Sequence, residues 1–151
     1  MAHTSRTRRV GAPPQTVWEV LADFGSVSYW AQSVDHSCLL HPGPDGGPIG
    51  SARRIQIGRT TLIERIIEFD EPHTLSYDIE GLPAMLGRLR NRWELRPAAN
   101  QFTAVTLTTS ADIGTHLAQR LLERVACRIA AAGSDGLLAG LASQWKDHHV
   151  A

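Results

Sequence analysis

The sequence predicts an α+β domain in which a seven-stranded, curved antiparallel sheet wraps round a long C-terminal helix, with two short helices between strands 1 and 2. Three patterns predict it: short alternating segments from Val34 to Asp112, a proline-opened amphipathic stretch before them, and a change to helical spacing after Thr115. With 151 residues the chain has the size of one domain and can bury a proper core. Residues 1–151 are therefore read as a single unit.

Thr4–Val10 reads as a first strand, ended by Gly11-Ala12-Pro13-Pro14, because prolines suit the first turn of a helix and cannot continue a strand. In Gln15–Ala22 the residues Val17, Trp18, Val20 and Leu21 form one apolar helical face. Asp23-Phe24-Gly25-Ser26 breaks it before a second short helix carrying Tyr29 and Trp30. Strands follow at Val34–Leu40, Ser51–Ile57, Thr60–Asp70, Thr74–Glu80, Gly87–Arg96 and Phe102–Ala111, separated by turn-forming segments. The clearest alternation sets Arg88, Arg90, Arg92, Glu94 and Arg96 on one face against Leu89, Asn91, Trp93 and Leu95 on the other, which predicts one wet face and one covered face.

From Thr115 to about Trp145 apolar residues recur at three- and four-residue steps, so a long terminal helix should cover the sheet. Gly133-Ser134-Asp135-Gly136 interrupts its helix-forming character, at about 1 kcal/mol per glycine relative to alanine. Either the helix kinks or breaks there, or the shared face of Gly133, Gly136 and Gly140 leaves space for a ligand beneath an intact helix.

The hydrophobic fraction of 42% and charged fraction of 20% suit a soluble globular protein, and no apolar run approaches the roughly 20 residues that span a bilayer. The polar, arginine-rich start lacks the apolar core of a secretory signal, so a cytoplasmic location is expected. A net charge of zero removes the simplest electrostatic case for nucleic acid, and the arginine row is read as a solvated face paired with Glu64, Glu68, Asp78 and Glu80 on nearby strands. Cys38 and Cys127 lie far apart, without metal-ligand or redox spacing, and are read as buried thiols. No metal and no cofactor is expected. The glycine-rich stretch Pro44–Ser51 leads into a strand and lacks the Lys-Ser/Thr pair of a phosphate loop.

Three stretches together carry a family resemblance: Ala12-Pro13-Pro14-Gln15-Thr16-Val17-Trp18 with Leu21-Ala22-Asp23-Phe24, then Tyr29-Trp30, then Glu64-Arg65-Ile66 through Phe69-Asp70-Glu71-Pro72 into Leu75-Ser76-Tyr77. The chain resembles the START/Bet v1-like (SRPBCC) superfamily, especially its polyketide cyclase/dehydrase branch, over nearly its whole length. The resemblance implies the helix-grip fold and a cavity for an apolar small molecule. Members of that superfamily include lipid carriers, hormone receptors and cyclases, so it does not by itself assign an activity.

In an up-and-down meander alternate turns share one end of the sheet, which gathers Ala31–Ser33, Gly58-Arg59, the apolar loop Gly81–Leu86 and the Asp112–His116 junction. That end is the expected mouth, with Trp30, Arg59, Met85 and His116 around it. Deeper on the covered face, Tyr77, Asn91, Trp93 and Thr109 supply the few polar groups that orient a ligand among aliphatic side chains. Asn91 must be hydrogen-bonded if buried, at a cost of about 1–3 kcal/mol otherwise; Trp93 reads first as a core aromatic. Glu64 and Arg65 are adjacent on a strand and point to opposite faces. A surface Glu64 paired across strands is the favoured reading, and a buried one acting as acid or base the alternative. His116 is a candidate general acid/base, or else a solvated residue in the first turn of a helix.

The leading expectation is a protein that binds an apolar ligand (a lipid, a polyketide or an aromatic metabolite), in a cavity of at least about 300 Å³. The alternatives are a polyketide cyclase or dehydratase using Asn91, Tyr77, His116 or Glu64, and a protein-interaction module using the apolar 81–86 loop.

Overall fold

The computed structural model describes residues 2–81, 88–112 and 133–145. Strand β1 (Ala2–Val10) leads to helix α1 (Pro14–Ala22) and a 3-10 helix (Phe24–Tyr29). Six strands follow: β2 (His36–His41), β3 (Ala52–Ile57), β4 (Thr60–Asp70), β5 (Thr74–Glu80), β6 (Arg88–Pro97) and β7 (Thr103–Asp112). Helix α2 covers residues 133–143. The sheet order is β1-β7-β6-β5-β4-β3-β2, with every neighbour antiparallel, so the meander runs in sequence order and β1 closes against its last strand. This is the helix-grip arrangement, α+β, that the sequence predicts.

The start of α1 follows from Pro14 in its first turn, where a missing N–H costs nothing. Thr103 Oγ1 donates to the Ala12 carbonyl at 2.6 Å and ties that corner to β7. Val17, Trp18 and Leu21 are buried, and Trp18 meets Phe69 of β4 edge-on at 5.0 Å. Only Asp23 separates α1 from the second helix, which kinks at Ser26, so all but the first residue of the expected break at Asp23-Phe24-Gly25-Ser26 is itself 3-10 helix. Its fixing points are on β2: Ser37 Oγ donates to the Gly25 carbonyl at 2.8 Å and accepts from the Ser28 N–H at 3.0 Å.

Along β6 the burial alternates as the sequence predicts, with Asn91, Trp93 and Leu95 buried and Arg88, Arg90, Arg92 and Arg96 exposed. On the convex face Arg90 pairs with Asp78, Arg92 with Glu68 and Arg65 with Glu80. The expected Glu64 partnership on that face is wrong. The two-residue turn at Gly58-Arg59 pairs Ile55 with Leu62 and Arg53 with Glu64, and this register sends both charged residues to the concave side.

One further expectation is corrected. Cys38 is exposed on the edge strand β2, not buried; Cys127 lies outside the described residues. Gly133-Ser134-Asp135-Gly136 is helical, continuous with residues 137–143. Tertiary contacts outweigh its weak helix propensity: buried Ser134 meets Thr109, and Asp135 lies 3.5 Å from Arg6 of β1. Gly140 has a packing role. A Cβ there would collide with the Trp30 carbonyl oxygen, so only glycine lets α2 approach the segment after the 3-10 helix this closely. Among the described residues no helix is long and apolar enough to cross a membrane.

Candidate ligand-binding site

Between the concave face and α2 lies a cavity of about 160 Å³. Its walls are largely aliphatic: Val27 and Val34 from the segment before β2, Ile55 and Ile57 from β3, Leu62 from β4, Ile79 from β5, Leu89 from β6 and Leu137 from α2. Ser33, Ile57, Ile79 and Leu89 place it toward the end of the sheet expected to hold the mouth. Among the described residues the polar lining is Arg53, Glu64, Tyr77, Asn91, Thr109, Ser33 and Ser134.

Most of these groups form two connected sets. In the first, the Arg53 guanidinium contacts Glu64 Oε1 through Nε at 2.8 Å and Nη2 at 2.7 Å, both side chains being 5% exposed. Arg53 Nη1 donates to the Phe24 carbonyl at 2.9 Å, and its guanidinium carbon lies 3.8 Å from the Phe24 ring centre and 4.7 Å from that of Tyr77. Burying two charges is tolerable only because each finds its opposite and the cation also meets two aromatic faces. Glu64 is thus a structural ion-pair partner as well as a lining residue, and its Oε2 makes no hydrogen bond among the described residues.

In the second set, the Asn91 amide donates to Tyr77 Oη at 3.3 Å and Trp93 Nε1 donates to the same oxygen at 3.2 Å. Thr109 Oγ1 donates to Asn91 Oδ1 at 2.7 Å. That uses its only proton; the Ser134 hydroxyl of α2 lies 3.2 Å from the same oxygen. Donation therefore passes in one sense, from Thr109 on β7 through Asn91 on β6 to Tyr77 on β5. The Tyr77 hydroxyl accepts twice, and its own proton has no acceptor among the described residues. Burial pushes the Tyr77 phenol above its usual value and nearby Glu64 adds to this, against Arg53 and the two N–H donors. Desolvation prevails, so the group at the cavity wall is a neutral phenol, a hydrogen-bond donor rather than a phenolate.

Of the residues singled out in the sequence, Tyr77, Asn91, Thr109 and Glu64 meet at this cavity. Trp93 sits behind them, acting through Tyr77. Trp30 is buried, not at a rim, and packs edge-on against Trp93 with ring centres 5.9 Å apart. Arg59 is exposed in its turn and does not line the cavity; Met85 and His116, with residues 82–86 of the apolar loop, lie outside the described residues. Sequence reasoning missed Arg53. The signal was present, since Arg53 is in phase with Ile55 and Ile57 on β3.

The architecture has counterparts among known proteins. Residues 1–145 match the family described as polyketide cyclase / dehydrase and lipid transport. The chain belongs to that family. With it comes membership of the SRPBCC superfamily, START and Bet v1-like proteins included. The Zhui aromatase/cyclase from Streptomyces sp. R1128 is similar in structure, with a TM-score of 0.76 at 18% identity over 95% of this chain and 92% of that one. A START superfamily protein from Mycobacterium smegmatis gives 0.72 at 14% identity, covering 95% and 99% of the two chains. The Bet v1-type protein Ara h 8.0201 gives 0.73 at 14% identity, covering 95% and 96%. At these identities the likeness is one of fold. No curated protein matches the chain.

Proposed function

We propose that this protein binds a small apolar molecule carrying a hydrogen-bond acceptor, held between the sheet and α2 with its acceptor on the Tyr77 hydroxyl. The observation that carries this reading is the Tyr77 proton, which has no acceptor among the described residues, at the wall of a largely aliphatic cavity. A buried donor without a partner costs about 1–3 kcal/mol, which a ligand carbonyl would recover. The volume of about 160 Å³ falls below the 300 Å³ expected for any of the three ligand classes, so the ligand proposed is smaller than expected, about one aromatic ring in size. Titration calorimetry with acetophenone and ethylbenzene, equal in ring and differing in the carbonyl, tests the assignment. Acetophenone should bind several-fold more tightly to the wild type, and Tyr77→Phe should erase the difference. Equal affinities for the wild type would overturn the role given to Tyr77.

A second reading, catalysis, is favoured by the two N–H bonds that converge on Tyr77 Oη. A phenol so placed can polarise a ketone by donating to its oxygen, one of the parts a cyclase or dehydratase requires. Turnover of a short poly-β-ketone by the wild type, lost in Tyr77→Phe with substrate still bound, would establish it; no turnover by the wild type would remove it.

A further inference from the structure

The pairing of β4 with β5 sets a second polar group of the cavity beside Tyr77. Ile66 pairs with Tyr77 and Glu64 with Ile79, so Glu64 and Tyr77 are diagonal neighbours on the concave face, at a spacing of about 7–8 Å. Both line the same cavity. The Arg53 guanidinium takes Glu64 unevenly: Nε at 2.8 Å and Nη2 at 2.7 Å both meet Oε1, where a forked pair would give each nitrogen its own carboxylate oxygen. Oε2 is left without a hydrogen bond among the described residues. Nor is it sealed away, because the described buried side-chain atoms that lack a partner are the indole nitrogens of Trp18 and Trp30. Glu64 is 4% exposed and lines this cavity, so the surface that Oε2 keeps is the cavity's own.

Resting on the binding reading above, we propose that Glu64 Oε2 is a second ligand contact, so that the site selects a neutral single-ring molecule carrying both an acceptor for Tyr77 and a hydroxyl or N–H donor for Glu64. A hydroxyaryl ketone has that pair of groups. The two protein groups are complementary, since the Tyr77 phenol has a proton to give and a carboxylate oxygen only accepts. Arg53 does not compete for the ligand. Its Nε and Nη2 are on Oε1, its Nη1 is on the Phe24 carbonyl, and its plane lies against the Phe24 and Tyr77 rings. Arg53 and Glu64 are the charged residues that line the cavity among the described ones, and their charges cancel. An ionic ligand would therefore give up its hydration without meeting a counter-charge, which selects against it.

Titration calorimetry of the wild type with acetophenone, its 3- and 4-hydroxy derivatives and the matching methoxy ethers reads this contact without any substitution, at a pH where the phenols are protonated. The ethers keep the oxygen and lack the donor. The better-placed hydroxy isomer should bind about tenfold more tightly than acetophenone, as a hydrogen bond to a charged group contributes, and its ether should lose that gain. 2-Hydroxyacetophenone, whose hydroxyl bonds its own carbonyl, should gain nothing. In Glu64→Gln the guanidinium keeps the amide oxygen and leaves an N–H for the cavity, so the preference for hydroxyl over ether should vanish or reverse. Arg53→Met with Glu64→Leu, which removes the carboxylate without stranding the guanidinium, should also abolish it, with circular dichroism confirming the fold. Hydroxy isomers no tighter than acetophenone on the wild type, or a gain that persists in the folded double variant, overturns the Glu64 contact. The preference for acetophenone over ethylbenzene would then still stand and keep the binding reading. No binding of any of these ketones to the wild type overturns both.

Discussion

On the convex side of the sheet, Arg90 of β6 holds Asp78 of β5 at 2.7 Å with the side chains 54% and 41% exposed; on the concave side, Arg53 of β3 holds Glu64 of β4 at the same 2.7 Å with each 5% exposed. Water screens the first pair, and its side chains lose entropy in meeting, so little net stability results. The second pair has given up its hydration and depends wholly on its mutual contact, the Phe24 carbonyl and two aromatic rings. Identical chemistry therefore serves solubility on one side and the shape of a cavity on the other.

Removing half of each pair sharpens that contrast. Glu64→Ala should cost about 3–5 kcal/mol in urea unfolding, because it strands a buried guanidinium, whereas Arg53→Met with Glu64→Leu together should recover most of the loss. Asn91→Leu, which removes the link between Thr109 and Tyr77, should cost about 1–3 kcal/mol by the same measurement. Asp78→Ala on the convex face should cost at most about 1 kcal/mol, and less in high salt. A pH series probes the concave face again. With its phenol raised in the folded state, Tyr77 keeps its proton where an unfolded chain would lose it, so stability should fall as pH rises past about 10. The slope of thermal midpoint against pH in that range should be shallower in Tyr77→Phe.

Much of this was legible in the sequence, for reasons that differ by element. The strands of the meander announce themselves by alternation, and β4 and β5 have the expected bounds because turn residues close both ends. Tyr77, Asn91 and Thr109 could be placed on one face by counting twos, and adjacent strands bring them together. Glu64 went astray because charge was weighed above phase: alternation sets it with Leu62 and Ile66, and the tight turn at Gly58-Arg59 puts Arg53 opposite. Trp30 was assigned to the rim from its position near the mouth, yet its indole turns inward to Trp93. Position along the chain does not tell which way a side chain points outside a strand. The glycines of α2 were ambiguous for a related reason. Whether Gly140 marks a ligand space or a close approach depends on Trp30, 110 positions earlier, whose carbonyl oxygen fills the place of a side chain.

The central claim, that a small apolar ligand lies against the Tyr77 end of the cavity, is tested most directly by mapping amide shifts in a 15N spectrum during titration with acetophenone. The largest changes should fall on Val27, Tyr77, Asn91, Thr109 and Leu137, which line that cavity from four elements and the 3-10 helix. Changes centred instead on the exposed Leu39, Leu40 and Ile49, or spread evenly over the convex face, would contradict it.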